Sequence, residues 1–206
     1  MRISVILSYI LFTTVSPVMA QNAYVSLGRQ ALFDGEFRKA VAHLERACVI
    51  DTTNADTYWM LGYSYYHNRA YKKCVTAYTK AISLKPVDGS AYLWRARAKS
   101  HMAKDPQISQ SDKEKSLLGS IIDYTKALDI DGNDMLIYQN RAIAYREYGE
   151  FKLLSSKQAD KARGVNSLKA SITDLERVLN SDASRGDIEN LIAISKEKLA
   201  SATGRR

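Results

Sequence analysis

His67 and His101 stand 34 residues apart, and the same interval counted backward from His67 reaches Phe33. With Glu147 farther on, these positions form a column that a repeated helix would set on neighbouring elements. Such residues bind a metal or titrate near neutrality if their side chains converge. Packed helices are commonly about 8–10 Å apart, however, and a phenylalanine at one end dilutes the polar column, so no metal or other cofactor is assigned. The nucleotide loop, paired zinc cysteines, HExxH helix and GxSxG elbow are all absent from the sequence. No catalytic residue is therefore assigned, and the chain reads as a non-enzyme. Cys48 and Cys74 are the only thiols. One falls near the end of its helix and the other near the start, too far apart for disulfide geometry, and both read as small, buried, unpaired residues.

Aromatic side chains carry the stronger signal. Tyr58, Leu61, Gly62 and Tyr65 follow the i, i+3, i+4, i+7 spacing of one helical stripe, and Trp59, Tyr63 and Tyr66 form a second line turned away from it. One stripe suffices for a core, so the second offers contact area to a partner. In the alternative, Trp59 and a later Trp94 pack between adjacent helices and complete the core.

The elements that position these residues recur. Tyr24, Tyr58, Tyr92 and Tyr138 open the segments YVSLG, YWMLG, YLWRA and YQNRA, and Gly28 and Gly62 are 34 residues apart. A second helix in each unit carries its own stripe, as in Cys74, Tyr78 and Ala81, and Pro86 ends that helix. Residues 55–88 in particular resemble the tetratricopeptide repeat family. The resemblance extends to 21–54 through Tyr24, Leu27, Gly28, Ala40, Leu44 and Ala47, with Thr52 where the family usually has proline. It extends to the later units through Tyr92, Ala96, Tyr124, Ala127, Tyr138, Ala142, Tyr145, Leu175 and Val178.

The resemblance implies an all-α fold, a right-handed superhelical solenoid of four antiparallel helix pairs whose first helices line a concave groove. The units run 21–54, 55–88, 89–134 and 135–185. The last two contain inserts of about 12 and 17 residues, because SIIDYTKALDI at 120–130 corresponds to SITDLERVLNS at 171–181. The first insert is polar and begins with the helix-stopping Asp105-Pro106; the second is basic and is read as a loop or as an extension of either helix. A capping helix follows at 186–200, with Ser184 and Asp187 resembling a helix-start box, and then a flexible tail at 201–206. On this fold the groove would present Arg29, Phe33, Trp59, Tyr63, Tyr66, His67, Trp94, Arg97, His101 and Arg146. The lysine, asparagine and arginine clamp of chaperone-binding relatives is missing: its places hold Val25, Arg29, Met60, Ser90 and Trp94.

Composition fits this picture. Of 206 residues, 46% are apolar and 25% charged, and only 10 Gly and 3 Pro occur, which favours helix and a packed core. Residues 1–20 read as an export signal: Arg2, an apolar run from Ile3 to Val15, and Ala20 as the cleavage residue. The expected product is periplasmic or secreted, without an integral membrane segment. Losing Arg2 takes the net charge from +8 to +7, an excess that suits an acidic partner, while export argues against nucleic acid. The sequence thus points to a non-catalytic adaptor that holds a protein or peptide in an aromatic and cationic groove. The alternative is a structural subunit of a cell-envelope assembly that contacts partners through its inserts or convex face.

Overall fold

The computed structural model describes residues 17–204. The export signal read over 1–20 lies outside the described residues except for 17–20, which begin the first helix. Nine α-helices and no strand occur among the described residues: α1 Pro17–Phe33, α2 Phe37–Ile50, α3 Ala55–His67, α4 Tyr71–Leu84, α5 Gly89–Met102, α6 Gln110–Ile130, α7 Met135–Leu153, α8 Gln158–Ser181 and α9 Gly186–Thr203. No helix among these residues is long and apolar enough to cross a membrane.

The starts of α3, α5 and α7 are written in short polar side chains. Asn54 accepts from the Thr57 amide at the head of α3, Asp88 from the Ser90 and Ala91 amides of α5, and Asp134 from the Leu136 and Ile137 amides of α7. Each satisfies amides that have no partner within the helix. Every helix packs on the next in sequence. Odd-numbered helices also approach the next odd-numbered helix along their backbones, from α1–α3 to α7–α9, whereas even-numbered helices do not, meeting only through side chains such as the Lys73–Glu45 pair between α4 and α2. The chain is therefore an α-solenoid with an inner layer of α1, α3, α5, α7 and α9, and an outer layer of α2, α4, α6 and α8.

Within each hairpin a small residue lets the two backbones approach. An added Cβ at Gly28 would lie 2.6 Å from the Leu44 side chain, and one at Gly62 would lie 2.8 Å from the Tyr78 ring. Ala96 and Ala142 occupy the equivalent places in the later pairs and are fully buried, as are the large residues Tyr124 and Leu175 opposite. The column Tyr24, Tyr58, Tyr92 and Tyr138 is more exposed than a simple core. Only Tyr138 is buried. Each ring instead carries a cation over it: Arg46 on Tyr24, Lys80 on Tyr58, Arg95 on Tyr92 and Arg177 on Tyr138, the last at 4.4 Å.

Both inserts become helix. The first forms a short loop after α5 and then the opening turns of α6. The second lengthens α7 and α8 together, to 19 and 24 residues against 13 and 14 for α3 and α4. That extension needs glycine on both sides of the crossing, since a Cβ on Gly164 would sit 2.8 Å from the Gly149 carbonyl oxygen. The buried Lys152 ammonium joins the two inserts through Glu114 at 2.6 Å and Asp160 at 3.1 Å.

Past the fourth pair, α9 takes the place of another inner helix, with Ile188 and Ile192 buried and Leu191 packed on the same core. It runs to Thr203, three residues into the segment read as a tail, and ends at Gly204 with φ 68°. The helix-start box expected at Ser184 and Asp187 does not form. The Ser184 amide and hydroxyl both donate to Asp182, and Asp187 is taken by the Arg185 guanidinium at 2.7 Å.

Gly62→Leu should therefore unfold the second hairpin, seen as a large fall in melting temperature. Tyr78→Phe should leave melting unchanged or raise it, because the buried Tyr78 hydroxyl has no hydrogen-bond partner and burying such a group costs about 1–3 kcal/mol. A destabilised Tyr78→Phe variant would show that this hydroxyl is satisfied in solution.

Candidate functional site

Seven of the ten expected groove residues meet on α3 and α5. Trp59 stacks on Tyr63 with centroids 5.5 Å apart and planes at 9°, and its indole N–H donates to the Ser90 hydroxyl at 2.8 Å. Ser90 in turn donates to Asp88, so the cap of α5 also fixes the tryptophan. Tyr63 lies 4.3 Å from His67 and meets the Trp94 ring edge-on at 4.9 Å. Trp94 contacts Tyr66 at 5.0 Å and lies 4.7 Å beneath the Arg97 guanidinium. The Tyr66 hydroxyl is 3.0 Å from His101 Nε2. Edge-to-face and offset contacts of this kind each contribute about 0.5–1.5 kcal/mol beyond area burial.

Trp59, Tyr63, Tyr66, Trp94 and Arg97 are half-buried, while His67 and His101 are exposed. The two readings of the aromatic line are thus not exclusive: one side of each ring completes the packing between α3 and α5, and the other faces the groove. The wall is held in place by its own contacts. Arg29, Phe33 and Arg146 stand apart from it. Arg29 and Phe33 are exposed on α1, Phe33 at 89%, and Arg146 is half-buried on α7.

Two members were missed in the sequence. Phe37 stacks on His67 at 4.5 Å and 15°, and Tyr71 stacks on His101 at 4.7 Å and 5°. They open α2 and α4 and are themselves 34 residues apart, so a period-34 aromatic at second-helix starts was the signal that would have found them. Each histidine is therefore held by its own aromatic ring.

Charge around the wall is one-sided. A recess of about 240 Å³ at its start includes Asp56 and Asp88. A larger one of about 1150 Å³ opens at its far end, between the α3–α4 turn and the first insert, where Tyr71 and His101 are shared with the wall. A third cleft, of about 770 Å³, lies where both inserts meet α9 and is floored by Leu117, Phe151, Leu153 and Leu154.

Burial, reinforced by the Arg97 charge, holds His67 below the ordinary histidine value of 6.5. Burial, Lys104 and Arg97, with Arg69 contributing less, do the same for His101 against an opposing pull from Glu147. Both thiols are pushed up to about 12, chiefly by burial, so Cys48 and Cys74 are unreactive at neutral pH.

The repeat geometry agrees with comparisons to known proteins. Residues 55–88 match the tetratricopeptide repeat family, and no curated protein matches the sequence. Among solved structures, MamA from Desulfovibrio magneticus is 12% identical, with 90% of each chain covered and a TM-score of 0.66. YrrB, described as a tetratricopeptide protein with an unusual peptide-binding site, is 13% identical over 93% of this chain and 86% of its own, also with a TM-score of 0.66. The second such domain of human RPAP3, solved with an HSP70 peptide, is 17% identical over 63% of this chain and 98% of its own, with a TM-score of 0.54. The chain is thus an α-solenoid of the tetratricopeptide-repeat fold, with a matching repeat at 55–88.

The histidine shifts set a pH dependence. A folded histidine that binds protons less readily than its unfolded counterpart adds stability above about pH 6.5, and that stability is lost as pH falls. Acidification from pH 7 to 5 should therefore lower the melting temperature, and His67→Gln with His101→Gln should flatten the slope. An unchanged slope in the double variant would place the titration elsewhere.

Proposed function

We propose that the protein is an exported, non-catalytic interaction scaffold that holds an extended protein segment against the α3–α5 wall. The observation that carries the reading is the wall itself: a continuous aromatic surface, half-buried and locked by its own contacts, with Arg97 on top and His67 and His101 exposed at its edge. Large rigid rings provide contact area at little cost in side-chain entropy, and a guanidinium on the wall grips carboxylates or backbone carbonyls. Peptide binding by two proteins of similar fold, YrrB and the RPAP3 domain, supports the same use of this architecture. The protein acts by positioning a partner.

A second reading draws on the insert edge. The cleft between the inserts and α9 leaves Leu154 exposed at 87% over an apolar floor, a surface suited to a neighbour in a larger assembly.

Photo-crosslinking separates the two. A probe replacing the exposed His67 is expected to capture the partner, and a probe at Leu154 is not. Arg97→Ala should weaken that capture several-fold at a stability cost of about 1 kcal/mol or less, since the arginine only overlies Trp94. Capture from Leu154 alone, unaffected by Arg97→Ala, would move the function to the inserts.

A further inference from the structure

The wall leads into a recess whose charge is not explained by packing. Arg69, Lys72, Lys73, Lys99, Lys104 and Lys115 line it, against two carboxylates, Asp105 and Asp112. Both carboxylates keep their charge while accepting from the first insert's own turns, Asp105 from the Gln107 amide and Asp112 from the Ser109 hydroxyl, and the six cations still outnumber them. Four of the cations have partners, namely Lys73 with Glu45, Lys99 with Asp123, Lys104 with Glu147 and Lys115 with Asp112. Arg69 and Lys72 have no carboxylate within ion-pair distance among the described residues.

The backbone singles out Arg69 independently. Its φ is +59°, the only positive value at a non-glycine residue among those described. The equivalent turn one repeat earlier has Gly35, at φ +72°. Left-handed backbone costs a residue with a Cβ free energy that glycine avoids, and such strain gathers where a side chain is needed for function. The second repeat thus sets a strained arginine where the first has an unstrained glycine, and that arginine lines the basic recess.

We infer that this recess takes the acidic half of the segment whose apolar half lies on the α3–α5 wall, so that the partner is a peptide with adjoining aromatic or apolar and carboxylate-rich stretches. The inference rests on the proposed use of the groove and adds its polarity. Asp56 and Asp88 at the opposite end of the wall repel the acidic half and fix which end goes where. From Trp59 to His67 the wall spans about 12 Å of helix, which about four extended residues cover. A short segment of some eight residues therefore reaches from the wall into the recess.

The test uses a fluorescent synthetic peptide with four apolar and aromatic residues followed by four glutamates, its counterpart with glutamines, and polyglutamate, with anisotropy measured at low and moderate salt. The glutamate peptide is expected to bind at least tenfold more tightly than the glutamine peptide and to weaken with salt. Arg69→Gly combined with Lys72→Gln should remove most of that difference without lowering the melting temperature, since glycine relieves the turn. Equal binding of both peptides, no binding of either, or a double variant identical to the parent overturns the recess. Polyglutamate binding as tightly as the mixed peptide also overturns it, in favour of a simple polyanion site. Arg97→Ala and Tyr63→Ala in the same assay separate the two readings. Binding that depends on them but not on Arg69 and Lys72 keeps the groove and removes the recess. Binding that depends only on Arg69 and Lys72 does the reverse.

Discussion

The structure depends on one steric constraint, repeated in every hairpin: a small residue on the inner helix where the outer helix sends in a large one. Leu44 and Tyr78 lie so close over Gly28 and Gly62 that a single methyl group at either glycine would meet them below normal contact distance. That closeness is what lets a two-helix unit be thin. A thin unit cannot enclose its own apolar surface, so each pair must bury it against the next. The inner layer of odd-numbered helices follows, and the groove is the surface that layer leaves open. Because Tyr78 fills the space over Gly62, Trp59 meets it only by an edge, at 6.1 Å, and its stack on Tyr63 lies outside the core. The aromatic wall is thus a by-product of how the second hairpin closes.

The two ends of the chain meet the same demand by different chemistry. In the second pair the positions facing each other are apolar, Leu61 and Ala77, both buried. In the third and fourth pairs the corresponding positions hold Arg95 with Asp123 and Arg141 with Asp174, each a two-pronged pair with distances of 2.7–2.9 Å. The arginines also reach across to Thr79 and Thr125 on the preceding outer helix. A buried ion pair adds little net stability over an apolar pair, but its geometry is demanding, so it fixes register. Register matters more in the later pairs because their helices are longer and a slip would misalign Gly149 with Gly164. Aromatic packing therefore gathers around the groove, and directional ion pairs gather around the inserts.

Much of this was legible. Tyrosines and glycines at a constant interval identify the hairpins because the interval is the length of two helices and two turns, and the family resemblance supplied which helices are inner and which outer. The convergence of Trp59, Tyr63, Tyr66, His67, Trp94, Arg97 and His101 followed from helical spacing placed on the fold that the family resemblance implies. Less followed at the turns. Phe37 and Tyr71 join the wall from the starts of outer helices, where the chain has just reversed, and a stripe counted along one helix does not cross a turn. Arg29 and Phe33 share the repeat register of the wall residues but lie on α1, outside the stretch where α3 and α5 pack ring on ring. The Arg–Asp pairs were hidden because arginine and aspartate on helices usually read as solvated charge. Their recurrence in YLWRA and YQNRA, and in SIIDYTKALDI and SITDLERVLNS, was the available sign. The helical inserts were ambiguous because polar residues extend a helix as readily as they form a loop. What decided the matter was a pair of glycines, one on each strand of the extension.

The arrangement also bears on how the proposed groove, in so small a solenoid, would be selective. An open concave surface offers little burial, so affinity depends on how little is lost in ordering the site. Here each ring is held by at least one neighbour: Trp59 by the α5 cap through Ser90, His67 by Phe37, and His101 by both Tyr71 and the Tyr66 hydroxyl. Most of the ordering has been completed in folding. Both imidazoles favour the neutral state, so the positive charge at the groove is carried by arginine and lysine and persists across the neutral range. On the proposed reading, a preformed apolar wall with permanent charge of one sign at one end would discriminate by the order of residues along a bound segment, not by composition alone, since reversing that order would place carboxylates beside Asp56 and Asp88.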